Sequence, residues 1–216
     1  MSKTITRLFD DYSDATAAVR ELEGLGISHD EISIVANNAH GREVNDHDGV
    51  NDHDGVNDHG DVSRGTSTGA LLGGAGGLLA GLGLLAIPGL GPVVAAGWLA
   101  ATAVGAGIGA AGGAATGGLV GALKNSGHSE EEANVYSEGV RRGGTLVSAK
   151  VADGHVAQAE AVLDRNKSVD ATTRGAAYRQ SGWSSFDADA PAYTRDQVDQ
   201  ERNRYGATAA AGVDRY

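Results

Sequence analysis

The chain has 216 residues, with 34 Gly, 3 Pro, 1 Met, no Cys, and 17 basic against 28 acidic side chains for a net charge of −11. That length suits one domain, or one domain carrying an unusual added segment. The lack of Cys excludes disulfide scaffolds, zinc–thiolate sites and thiol nucleophiles, abundant Gly with so little Pro excludes collagen, and net acidity argues against a general nucleic-acid binder.

The N-terminus has no apolar stretch of the kind a secretory signal needs. Thr4 to Phe9 alternates Ile5, Arg7 and Phe9 with Thr6 and Leu8, which predicts a strand. Ser13 reads as an N-cap with Asp14 in the first turn, and Ala15, Ala18, Val19, Leu22 and Leu25 fall on one helix face before Gly24 and Gly26 stop it. Ile32 and Ile34 mark a second strand.

Residues 39–64 form a polar linker in which Val44-Asn-Asp-His-Asp-Gly49 recurs at Val50 and, with its end altered, at Val56. His47, His53 and His59 thus stand at six-residue intervals among carboxylates, a composition that suits Ni²⁺, Zn²⁺ or Ca²⁺. Near-identical copies fit a duplicated, solvated linker better than a built site, so no metal ligands and no cofactor are assigned.

From Gly65 to Leu123 the chain carries no Asp, Glu, Lys, Arg or His. Pro88, Gly89, Gly91 and Pro92 divide this window with turn chemistry. The arm Thr66–Ala86 would span about 31 Å as a helix, enough for a hydrocarbon core of about 30 Å. Two four-residue glycine ladders run through the window: Gly65, Gly69, Gly73, Gly77 and Gly81, then Gly105, Gly109, Gly113, Gly117 and Gly121. Such ladders let helix backbones approach closely, which predicts a glycine-zipper helical hairpin of membrane type. A buried zipper at the core of a soluble oligomer is the alternative. Gly107-Ile-Gly-Ala-Ala-Gly112 matches a dinucleotide fingerprint only in letters, since no strand precedes it in this reading.

Ser129-Glu-Glu-Glu132 is a capping box, opening a helix to about Arg142 with Ala133, Tyr136 and Val140 inward. Arg141 and Arg142 are the candidates for contact with a phosphate or anionic headgroup, although cations at a helix C-terminus before Gly143-Gly144 explain the same residues with less. Thr145–Val151 predicts a strand, Asp153 a cap for a last helix bearing Val156, Ala159, Val162 and Leu163, and Arg174–Arg179 a short closing strand. Residues 181–216 mix charges with scattered aromatics and read as a disordered tail whose docking point is Trp183. No catalytic serine–histidine–carboxylate spacing, acid pair or HExxH is present in this reading, so no catalytic residues are assigned.

Gly77-Leu-Leu-Ala-Gly-Leu-Gly-Leu-Leu-Ala-Ile-Pro-Gly-Leu-Gly-Pro92 and Glu131-Glu-Ala-Asn-Val-Tyr-Ser-Glu-Gly-Val-Arg-Arg-Gly-Gly-Thr-Leu-Val147 resemble the bacterial general stress protein family, the 17M-like or heat-induced stress protein domains. The resemblance covers about residues 3–165, while the VNDHDG repeats depart from the pattern. It implies a stress-associated bacterial protein without established enzymatic chemistry, and brings no catalytic residues with it.

The expected architecture is therefore an α+β domain of split ferredoxin-like kind, β-α-β (1–38) and α-β-α-(β) (124–180), with helices on one face. The linker (39–64) and the hairpin (65–123) interrupt it, and the tail (181–216) follows. The expected protein is non-enzymatic, self-associating and anchored to membrane lipid. Its hairpin lies in the inner membrane and its remaining parts in the cytoplasm, and it has no nucleic-acid partner. A soluble ligand-sensing α+β module with the zipper as an oligomer core, wholly cytoplasmic, is the competing expectation.

Overall fold

The computed structural model describes residues 2–39, 83–87, 89–108 and 118–211. The elements are β1 (Ser2–Phe9), α1 (Tyr12–Gly24), β2 (Ile32–Asn37), β3 (Gly83–Ile87), β4 (Gly91–Gly97), α2 (Trp98–Ile108), α3 (Gly118–Asn125), α4 (Glu130–Arg141), β5 (Thr145–Ala152), α5 (Val156–Arg165), α6 (Ala171–Gln180) and α7 (Arg195–Ala211). The class is α+β.

One five-stranded antiparallel sheet has the order β1-β5-β2-β4-β3. Because β5 runs antiparallel to both β1 and β2, these two are parallel, split by β5 and joined by α1. The halves of the chain on either side of the uncharged window thus close on each other along the full length of β1, from Ser2↔Ala152 to Phe9↔Thr145.

Both faces of the sheet are covered, not one. Ile5, Phe9, Ile32, Ile34, Val147 and Ala149 meet α1 and α5, while Leu8, Val35, Val93 and Leu146 meet α2, α3, α4 and α6. Alternate residues of each strand feed opposite cores, which is why β2 and most of β5 are buried throughout. Gly139 admits this packing on the second face, since a Cβ there would fall within 3 Å of the Leu8 methyl groups.

The uncharged window departs most from expectation. Within the described residues, β3 and β4 replace the inner ends of two helical arms, and α2 covers eleven residues. The turn residues do close a hairpin, with Leu90 N–H donating to the Ile87 carbonyl at 3.0 Å, but it joins strands. A charge-free run suits a buried strand as well as a lipid-facing helix, and the free edge of β2 gives β4 a partner from Ser33↔Gly97 to Asn37↔Val93. Gly97 is fixed by this pairing: it has φ +87° and its α-carbon faces the Ile32 carbonyl with no room for a side chain. Of the ladder glycines, Gly105 lies in α2 and Gly121 in α3; Gly65, Gly69, Gly73, Gly77, Gly81, Gly109, Gly113 and Gly117 lie outside the described residues, as do the repeats. Among the described residues no helix is long and apolar enough to cross a membrane.

Smaller corrections have local causes. Asp11, not Ser13, occupies the N-cap of α1, so Tyr12 starts the helix one turn before the apolar stripe. Asp153–His155 is a 3₁₀ turn leading into α5. Arg174–Arg179 is helical because Asp170 accepts from Thr173 N–H and caps α6, and the closing strand shrinks to one bridge, Leu8↔Val169. The tail is ordered from 181 to 211: Val198 is fully buried, and Trp183, Phe186 and Tyr205 pack against the second core.

Candidate functional site

Two polar constellations lie inside this frame. The first is built on α4, whose capping box forms as expected: Ser129 Oγ accepts from Glu132 N–H, and the Glu132 carboxylate accepts from Ser129 N–H. Glu138 follows on the inward face, fully buried. Arg141 donates through Nε and Nη2 to its two oxygens at 2.8 and 2.7 Å, and Arg142 Nε donates to Oε1 at 2.6 Å. Arg142 Nη1 reaches on to Glu201 of α7 at 2.9 Å, with its guanidinium 4.3 Å from the Tyr178 ring centre. Burial opposes the Arg142 charge, but its bonds to Glu138 and Glu201 outweigh that and hold it above the ordinary arginine range. Both anion-contact candidates, Arg141 and Arg142, are thus spent on internal carboxylates. They dock the tail, with Tyr193 lying 4.7 Å from the Arg141 guanidinium carbon.

The second constellation sits beside β1. Thr6 faces Ser148 across the β1–β5 ladder, with their hydroxyl oxygens 2.5 Å apart. His128 Nε2 lies 2.7 Å from Thr6 Oγ1, its Nδ1 lies 3.9 Å from the Glu132 carboxylate, and its ring meets Tyr136 edge-on at 5.8 Å. Tyr136 donates its hydroxyl to the Thr6 carbonyl at 2.7 Å. Burial pushes the Tyr136 phenol up to about 12. Burial likewise pushes His128 below its usual range, partly offset by Glu132 and reinforced by Arg7. The imidazole is therefore neutral at physiological pH, and the Thr6 hydroxyl lies within hydrogen-bond distance of both His128 Nε2 and Ser148 Oγ.

This group opens onto a cavity of about 380 Å³ between the 126–128 turn, α4, the outer edge of β1 and Glu160 of α5. Lys3 and Glu160 face each other there at 3.7 Å, and Arg7 of the lining pairs with Asp164 outside it, also at 3.7 Å. Another hollow, about 500 Å³, lies between the N-terminus of α4 and Trp183, where Arg179 is paired with Glu131.

The arrangement places threonine, histidine and carboxylate in a row, a grouping the sequence reading did not assemble. Thr6 comes from the first strand and His128 from beyond the uncharged window, and nothing in their spacing signals contact. Thr6 is 1 % exposed and bonded on both sides, which suits a sheet-stabilising chain of hydroxyls rather than a nucleophile. Among the described residues no group of three or more His, Asp or Glu is placed to hold a metal ion. The chain matches no family model, no curated protein and no solved structure.

Proposed function

We propose that this chain is a non-enzymatic, stress-associated protein whose α+β module works by binding and whose copies associate through the glycine ladders. The observation that carries this reading is the fate of the uncharged residues. Leu90, Val93, Val94, Leu99, Ala103, Leu119 and Leu123 are all buried in the module itself, so much of the missing charge is accounted for by protein packing. The β1–α1–β2 unit split by β5, followed by α5 and the Val169 bridge outside β1, supports a ferredoxin-like core with β3 to α4 inserted. The stress association rests on the sequence resemblance.

A second reading keeps the membrane. The uncharged run continues N-terminal to β3 through the Gly65–Gly81 ladder, which supports lipid contact by that segment and an inner-membrane location. Fractionation of the protein from its native host separates the two. Recovery without detergent, as a species larger than one chain, is the outcome of the first reading; release by detergent alone, after carbonate has failed, supports the second. In either case Gly73→Leu with Gly113→Leu reduces the oligomer in sedimentation, and an unchanged size would count against the zipper.

A further inference from the structure

We propose that the outer edge of β1 is a slot for an extended peptide, added as a strand beside residues Lys3–Thr6. This deepens the binding reading above, on which it rests, by naming the site and the class of ligand.

The argument begins with hydrogen-bond parity. Leu8 N–H donates to the Val169 carbonyl at 3.0 Å and Val169 N–H donates back to Leu8 at 2.7 Å, so the backbone groups of Leu8 point away from β5. In an antiparallel ladder residues alternate in the side to which they bond, so those of Thr4 and Thr6 point outward too. The close Thr6–Ser148 hydroxyl contact fits, since side chains approach most nearly at pairs that do not bond to each other. The outward carbonyl of Thr6 is taken by Tyr136 and by Arg7 Nη1. Outside the strand ladders, no described backbone group bonds to Thr6 N–H or to either backbone group of Thr4. The Val169 bridge is a strand addition begun and broken off, because Asp170 caps α6 immediately afterwards.

The cavity already described lies along this edge. Its walls stand on both faces of the sheet, the 126–128 turn and α4 on one and Glu160 on the other. A second folded copy would bring its own helical layers against those walls, whereas a single extended strand passes between them. Charge selects in the same direction. With His128 neutral, Lys3 and Arg7 balance Glu132 and Glu160 in the lining, so it carries no net charge and favours a peptide of low net charge, held through its backbone.

The test is selection of random nonapeptides displayed on phage against the full-length protein, with Thr4→Pro as the control. Proline at an outward-facing edge position removes one donor and leaves the β1–β5 ladder intact. The expected result is a set of peptides that bind the parent protein and lose at least tenfold in affinity to Thr4→Pro. On binding they slow amide exchange at Thr4 and Thr6 more than at Ile5. If Thr4→Pro does not fold, the exchange pattern in the parent protein decides alone. Failure to select any peptide, or peptides that leave Thr4 and Thr6 exchange unchanged, would overturn the slot. Neither result bears on fractionation or oligomer size, so the broader reading stands or falls separately.

Discussion

His128 is where a single side chain couples the fold to pH. Its folded-state pKa lies below the ordinary 6.5 because burial penalises the imidazolium. The unfolded chain therefore takes up the proton first as pH falls, and the stability contributed by neutral His128 is complete above about 6.5 and declines below it until the folded-state value is passed. Chemical denaturation between pH 7.5 and 5 is expected to show this decline, and His128→Gln, which keeps an acceptor for Thr6, to remove it. Glu132 contributes a separate loss at lower pH: the Ser129 N–H bond holds its carboxylate below 4.5, so that contribution fades only in the acid range. The capping box was legible because its partners are three residues apart. The Thr6–His128 contact was not, since 122 positions separate the two and a lone histidine gives no hint of its partner.

The tail shows how an element can look disordered and still be held. Its charges of both signs and low apolar content read as solvated, but the sequence could not reveal that Glu201 would meet Arg142 or that Val198 would seat against Gly143. One buried valine and one buried ion pair are the decisive contacts, and neither makes a periodic pattern. Val198→Asp is expected to lower stability by about 2–3 kcal/mol by placing a charge where a methyl group packs. Limited proteolysis then cuts within residues 181–211 at least tenfold faster while the sheet core resists. The pairing of β3 with β4 was hidden for a different reason: buried strands and membrane helices share a lack of charge, and length alone separates them.

At the scale of the molecule, the sequence did disclose that the two flanking halves must combine, since neither holds enough apolar surface to stand alone. It missed that the window between them would supply two strands and two helices of the same body. The VNDHDG repeats, by contrast, read from sequence as a solvated linker between β2 and β3, and the closure entropy of a flexible linker varies slowly with length. Deleting residues 44–61 is expected to change stability by no more than ~0.5 kcal/mol. A melting temperature within a few degrees of the parent is the result that checks it. A large loss would mean that the repeats contribute contacts of their own.

The pairing of β1 with β5 has a consequence during synthesis. The first strand leaves the ribosome long before residues 145–152, which must lie against it, have been translated. At elongation rates of about 5–20 residues per second that delay is roughly 7–27 s. Throughout it the nascent chain displays an unpaired strand edge and a long charge-free stretch that has not yet found its sheet. An exposed strand edge of this kind is aggregation-prone, so the yield of folded protein is expected to rise when more chaperone is available during synthesis.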